Sequence, residues 1–198
     1  LYSAWVSGAA VVLLTKDEVR SGPDLVPILR EQEVTALFCP PVLLSTLSDA
    51  PEHDLPYPIC RYIIPAGEAF PANLVEPWSR SRRQIINTYG PTEASTDTSR
   101  QLLRPGRPVT IGSPFPGVDY IIIEPDKDQA LPWGEIGELC IGGCHLAKGY
   151  RNQPETTAER FIEHPNYGRL YRTGDRCRID PSTGQVEFLG RLDAQIKV

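Results

Sequence analysis

From Val11 to Tyr89 the chain alternates between two hydrophobic periods. Val11–Leu14, Val34–Phe38, the run from Ile59 into the Gly turn before Phe70, and Gln84–Tyr89 are short, apolar and rich in β-branched residues, which predicts strands. Leu1–Ala10, the stretch from Asp24 through Gln32, Val42–Leu47 and Asn73–Trp78 predict helices. Asp24 stands as the cap of the second, with Pro27 in its first turn. Pro40 and Pro41 stop the strand before them. Strands alternating with helices at short intervals imply a mostly parallel sheet with helices packed on it.

After about Arg104 the pattern changes. "RPGRPVTIGSPFPG" is a connection, and Val118–Glu124, Gly137–Gly142, Leu170–Ile179 and Val186–Gly190 predict further strands. The turn clusters "EPDKDQ" and "DPSTGQ" separate them. One helix is predicted, in "NQPETTAERF", with Asn152 as N-cap, Pro154 in the first turn and Glu155 at the capping-box position. This half is expected to be antiparallel. The expected class is therefore α/β, a mostly parallel sheet with packed helices followed by a smaller, distorted β-barrel-like subdomain. The division falls at 1–108 and 109–192.

Composition narrows the function classes. The 198 residues are 40% hydrophobic and 23% charged, ordinary for a folded chain long enough for one large or two small domains. Twenty basic against 25 acidic residues give a formal charge of −5, which speaks against a general nucleic-acid or membrane-surface binder. The only basic cluster, "SRSRR" (Ser79–Arg83), is ordinary for a solvated helix end. The longest apolar run, Ala9–Leu14, is too short to span a bilayer. Five cysteines lack regular spacing, and Cys39, Cys60, Cys140 and Cys177 lie in or beside apolar segments, which suits reduced thiols and a cytoplasmic compartment better than a disulfide or zinc framework. The chain opens on Leu1 and contains no Met, so both ends are expected to be cuts.

Open α/β sheets place ligands at the carboxyl ends of their strands. Two such ends carry unusual chemistry, "PAGEAF" and "TYGPTE". Gly67 lets a backbone approach a flat ligand, with Glu68 beside it; Tyr89 offers a ring, Thr92 a hydroxyl and Glu93 a carboxylate. Ring, hydroxyl and acid together suit a nucleotide with its cation. Spacing alone equally allows a Gly-Pro turn that merely ends a strand. Asp175, after Gly174 in "YRTGDR", suits a ribose or a polar turn. "GELCIGGCHLAKGY" holds neither GK[ST] nor GxGxxG, so it is neither a P-loop nor a dinucleotide fingerprint.

Together, "NTYGPTE", "GELCIGGCHLAKGYRNQPETTAERF", "YRTGD" and "FLGRLDAQIKV" resemble successive core motifs of adenylate-forming enzymes, and best the adenylation domains of nonribosomal peptide synthetases. They run in the family's order and cover Asn87 to Val198. The resemblance implies that an amino-acid carboxylate attacks the α-phosphate of MgATP, giving an acyl-adenylate and pyrophosphate. The acyl group would then pass to a phosphopantetheine thiol on a peptidyl carrier domain, with condensation domains as further partners in the parent chain.

Residue by residue, the resemblance implies that Tyr89 and Gly90 pack on adenine, with Gly67, Glu68 and Ala69 lining the base pocket. Thr92 would meet phosphate, Glu93 would ligand Mg²⁺, and Asp175 would hold the ribose hydroxyls. Phe188 would lie beside the nucleotide and Arg191 would reach ribose or phosphate, which makes Thr92, Glu93 and Arg191 the catalytic set. Phe38, Ile64, Ala66, Thr88, Thr96 and Asp97 would wall the amino-acid pocket, where a buried Asp97 carboxylate would select a polar or basic side chain, such as an ornithine derivative, unless Asp97 faces solvent or bonds Thr96. Asp193 falls at the family's hinge, and 193–198 would lead to a C-terminal lobe carrying the catalytic Lys, a role Lys197 does not fill by position. The family's Ser/Thr/Gly-rich phosphate loop and amine-binding Asp are expected upstream of Leu1, so the 198 residues alone are expected to be inactive. An acyl-CoA or aryl-acid ligase, a synthetase-like reductase, and a non-catalytic nucleotide-binding or structural module stay open beside this reading.

Overall fold

A computed structural model of the chain describes residues 2–125 and 127–192. In chain order the elements begin with α1 (Tyr2–Val6), α2 (Lys16–Arg20), α3 (Leu25–Glu31), β1 (Ala36–Cys39), α4 (Pro41–Leu47) and α5 (Pro51–Asp54). Next come β2 (Tyr62–Pro65), α6 (Val75–Ser79), β3 (Gln84–Tyr89), β4 (Ser99–Leu103) and β5 (Ser113–Pro114). The second half holds β6 (Val118–Ile123), β7 (Ile136–Gly143), α7 (Pro154–Arg160), β8 (Phe161–His164), β9 (Gly168–Ile179) and β10 (Val186–Arg191). The hinge expected at Asp193, and Lys197, lie outside the described residues.

The first sheet runs β1-β2-β3-β4-β5. Its first three strands are parallel, as the strand–helix alternation implies, and β4 and β5 add on antiparallel. Burial alternates along β1, β2, β3 and β4, so one face carries the core. Leu44, Leu47, Leu55, Ile63, Trp78 and Ile85 are almost wholly buried there, each contributing about 1.5–3 kcal/mol by leaving water. The opposite face turns Phe38, two-thirds exposed, and Leu102 outward. The second sheet, β10-β9-β7-β6 with β8 on β9, is antiparallel throughout. Register shifts at Glu138/Cys140 and Phe188/Arg191 curl it into a half-barrel.

The connection between the sheets is a packed element. Ser99 and Gln101 of β4 are buried and polar, and bond the carbonyls of Ile111 and Pro108 at 2.6 and 3.1 Å. Gly112 pairs with Val186, and at φ +79° a Cβ there would lie 1.9 Å from the Arg100 carbonyl oxygen. Tyr89 and Ala94 share one apolar cluster with Ile122, Leu139, Ile141 and Val186, so the core continues from the first sheet into the second.

Three local expectations fail. Val11–Leu14 forms no strand; apolar content alone cannot make one, because a strand needs a neighbour for its backbone bonds, and this run has none among the described residues. Asp24 caps nothing through its side chain: it closes a 3₁₀ turn, Gly22–Asp24, that runs directly into α3. The capping box appears instead at α2, where Thr15 and Glu18 bond reciprocally. Nor does Asn152 cap α7, since it adopts a left-handed φ of 59° and the cap position falls on Gln153. Thr157 ties that start instead, donating to the Gln153 carbonyl at 2.8 Å and accepting from the Tyr150 N–H at 2.9 Å.

Candidate functional site

The segment after β3 is built for close approach. A Cβ at Gly90 would lie 2.2 Å from the Thr96 carbonyl oxygen, so only glycine lets the loop fold back on itself. Thr92–Ala94 makes a 3₁₀ turn, and Ser95 and Thr96 follow with φ of 64° and 79°. Two successive left-handed residues without glycine are costly, roughly 1–3 kcal/mol each, and persist only where the surroundings hold them. They are held: Thr98 N–H bonds the Tyr89 carbonyl at 2.8 Å, and Ser95 Oγ donates to the His145 carbonyl at 2.9 Å.

This loop forms one wall of a cleft of about 790 Å³ between the two sheets. Ala66, Gly67, Glu68 and Ala69 come from the turn after β2; Thr88, Tyr89, Gly90, Thr92, Thr96 and Asp97 from β3 and its loop; Phe188 and Arg191 from β10. Segments remote in sequence thus meet around one hollow. The carboxylate of Asp97 is exposed and makes no hydrogen bond or ion pair among the described residues. It is not the buried acid expected above: it stands exposed in the cleft wall, directly after the left-handed pair.

Asp175 lies one hydrogen bond behind the wall. It is 2% exposed and does not itself line the cleft. Tyr89 donates its hydroxyl to Asp175 Oδ2 at 2.5 Å, and Arg191 Nη1 donates to Oδ1 at 3.0 Å. Burial first, and then the Asp175 charge, push the Tyr89 phenol well above its ordinary range, so it stays protonated as the donor. The strand carrying Asp175 is fixed by Glu138, buried on β7. Its Oε2 accepts from Arg172 Nε and Nη2 at 2.9 and 2.6 Å, and its Oε1 from the Gly174 N–H at 2.9 Å.

Other expected site residues stand elsewhere. Phe38 and Ile64 are register partners on one face of β1 and β2 and do not line the cleft. Glu93 also lies outside the lining, although Thr92 beside it is part of it; its Oε1 accepts from the Tyr150 hydroxyl at 2.5 Å. Among the described residues no group of three or more His, Cys, Asp or Glu could form a metal cage. A single carboxylate, next in sequence to Thr92 of the cleft wall, fits a cation that arrives on a polyphosphate better than one held by a protein cage.

The sequence reading missed Asn87, Val109, Thr110 and Ile111, which also line the cleft. Asn87 Nδ2 donates to the Thr110 carbonyl at 2.7 Å and pins the connection against β3. A polar residue at an inward position of an apolar strand was the available signal.

Comparison with known proteins matches residues 1–151 to a family described as "AMP-binding enzyme". Bacitracin synthase 3 of Bacillus licheniformis is 39% identical over the whole chain, and delta-poly-L-ornithine synthetase of Acinetobacter baumannii (strain AB307-0294) is 38% identical over the whole chain. The chain spans only 3% and 15% of those proteins. Among solved structures, that of IdnL1 superposes on 97% of the chain with a TM-score of 0.86 at 27% identity, the match covering 41% of IdnL1. PA1221, described as an NRPS protein containing adenylation and PCP domains, covers 89% with a TM-score of 0.77 at 28% identity, the match being 37% of that chain.

Proposed function

The chain belongs to the AMP-binding enzyme family, and from that premise we propose that it forms the nucleotide-gripping part of an amino-acid-activating adenylation domain of a nonribosomal peptide synthetase. The reaction joins an amino-acid carboxylate to the α-phosphate of ATP, releases pyrophosphate, and hands the acyl group to a phosphopantetheine thiol on a carrier domain. The observation that carries this reading is the convergence of two residues of one cleft wall, Tyr89 and Arg191 from different sheets, on the Asp175 carboxylate behind it.

The residues divide the work by position. Tyr89, Gly90 and the Gly67–Ala69 turn bind adenine, with Phe188 on the other side. Asp175 would hold the ribose by exchanging the Tyr89 hydroxyl for a ribose hydroxyl, and Arg191, which lines the cleft, steadies negative charge spreading over the α-phosphate. Thr92 donates to a phosphate oxygen. A bound Mg²⁺ would neutralise phosphate charge, and Glu93 would be its protein ligand. Ala66, Thr88, Thr96 and Asp97 receive the amino acid, and the open carboxylate of Asp97 favours a basic or hydrogen-bonding side chain. Phe38 and Ile64 enter this pocket only if its wall extends along the open face of the sheet. The five free thiols suit a cytoplasmic setting, and the division at 108/109 serves as a working boundary between the halves.

Amino-acid-dependent exchange of pyrophosphate into ATP by the full-length protein tests the reading. Exchange that requires an amino acid supports it. Exchange driven by aryl or fatty acids and by no amino acid overturns it. The 198 residues alone are expected to show none.

A further inference from the structure

We propose that Tyr150 is a positioning residue for the Glu93 carboxylate, an inference that rests on Glu93 being the protein ligand of the cation that travels with the nucleotide. The Tyr150 hydroxyl donates to Glu93 Oε1 at 2.5 Å. The same loop, between β7 and α7, also holds the backbone of Glu93, through the Ala147 N–H to the Glu93 carbonyl at 2.7 Å. Side chain and main chain of Glu93 are thus both held by this loop, and Tyr171 on β9 joins the same hydrogen-bond group.

The loop is itself rigid. Arg169 donates to the carbonyls of Ala147 and Lys148 at 2.8 and 2.9 Å. Gly149, at φ +142°, packs so closely that a Cβ would lie 2.4 Å from Thr157 Cγ2. The Tyr150 ring meets the edge of Phe161 at 5.8 Å between centroids, and Phe161 packs on Tyr171 at 5.0 Å. A phenol anchored in this way has one direction in which to donate. It fixes Oε1 and so limits the rotamers open to the carboxylate, on a residue adjacent in sequence to Thr92 of the cleft wall.

A glutamate held before the ligand arrives has already lost the rotamer freedom that ligation would otherwise remove. Hydrogen-bond partners of metal-binding carboxylates are worth about 10–100-fold in metal affinity. A role confined to stapling the two halves would instead show in stability and in metal-free nucleotide binding.

The test titrates Mn²⁺ into the full-length protein saturated with α,β-methylene-ATP, following free Mn²⁺ by electron paramagnetic resonance. The variants are Tyr150→Phe, Glu93→Gln and the double variant. Tyr150→Phe is expected to weaken Mn²⁺ binding about 10-fold while metal-free AMP affinity stays within about 2-fold. The double variant is expected to bind no worse than Glu93→Gln alone. Unchanged Mn²⁺ affinity in Tyr150→Phe, beside a clear loss in Glu93→Gln, overturns this inference and leaves the role of Glu93 standing. Unchanged affinity in Glu93→Gln overturns both. Equal losses of metal-free AMP and Mn²⁺ binding in Tyr150→Phe reduce the contact to a structural staple and likewise overturn it.

Discussion

The hydroxyl of Tyr89 and the carboxylate of Asp175 meet at 2.5 Å across 86 positions of sequence. Tyr89 ends the last parallel strand of one sheet, and Asp175 sits in the longest strand of the other. Replacing Tyr89 by Phe keeps the ring and removes one partner of a buried acid. The expected cost is about 1–3 kcal/mol of unfolding free energy. A urea midpoint unmoved by Tyr89→Phe would show that the bond contributes nothing to joining the halves.

Arg191 completes the same junction, with side-chain exposures of 17% for Arg191 and 3% for Asp175. Removing one partner of a buried pair is costly, about 3–5 kcal/mol, because the other charge is stranded. Arg191→Ala is therefore expected to weaken AMP binding and lower stability together. Arg191→Lys keeps the charge but not the reach of the guanidinium, whose Nη1 donates both to Asp175 and to the Thr173 carbonyl at 2.9 Å, and should recover only part of both. Full recovery with Lys would mean that charge alone matters.

Gly112 and Gly106 make a controlled comparison, with φ of +79° and +70°. Alanine at Gly106 meets open space and suffers only the left-handed strain of roughly 1–2 kcal/mol. Alanine at Gly112 must also move the Arg100 backbone, and should cost several-fold more or abolish folding. Similar melting temperatures for the two variants would contradict the close packing of the connection on β4.

Alkaline pH should destabilise the first half. Burial pushes the Cys39 thiol up to about 12, with Cys60 adding to it, and burial pushes Cys60 up to about 11 against the opposing pull of Arg83. Both hold their protons more tightly folded than unfolded, so above the ordinary thiol value the native state binds more protons and stability falls as pH rises. The contribution is whole below about pH 9 and is lost as pH rises through about 11 for Cys60 and about 12 for Cys39. Urea unfolding from pH 8 to 11 should show a flatter decline for Cys39→Ala/Cys60→Ala than for the parent protein. Equal slopes would discount the thiols.

Legibility followed the physics of each segment. Gln84–Tyr89 was readable because its inward positions are mostly apolar and Gly-Pro ends it. Ser99–Leu103 was not, because two of its three buried positions, Ser99 and Gln101, are polar while Leu102 faces out. β8 was hidden for a related reason: it continues α7 without a break, and His164 is one of its buried residues. Val11–Leu14 shows the converse, an apolar run with no neighbour to pair with among the described residues. Most of the candidate site was visible as residue types at strand ends. Which acid lies behind the wall and which meets Tyr150 depends on pairings between the halves, and these leave no local pattern.

If the proposed function holds, Asp97 is the residue whose substitution tests substrate preference most directly. Its carboxylate lies exposed in the cleft wall, without a partner among the described residues, after two strained left-handed residues that fix its place. An open carboxylate gains from a cationic group brought into a partly desolvated hollow, by roughly 1.5–3 kcal/mol for a charge-assisted hydrogen bond. Asp97→Asn keeps the shape and removes the charge. Pyrophosphate exchange by the full-length variant should therefore fall about 10–100-fold for ornithine or lysine, with little change for leucine or phenylalanine. Two results would remove the idea: equal losses across all four substrates, or a parent enzyme that already uses leucine or phenylalanine as well as ornithine. Either would leave Asp97 as a solvated residue at the rim, whose local strain serves only to close the loop against Gly90.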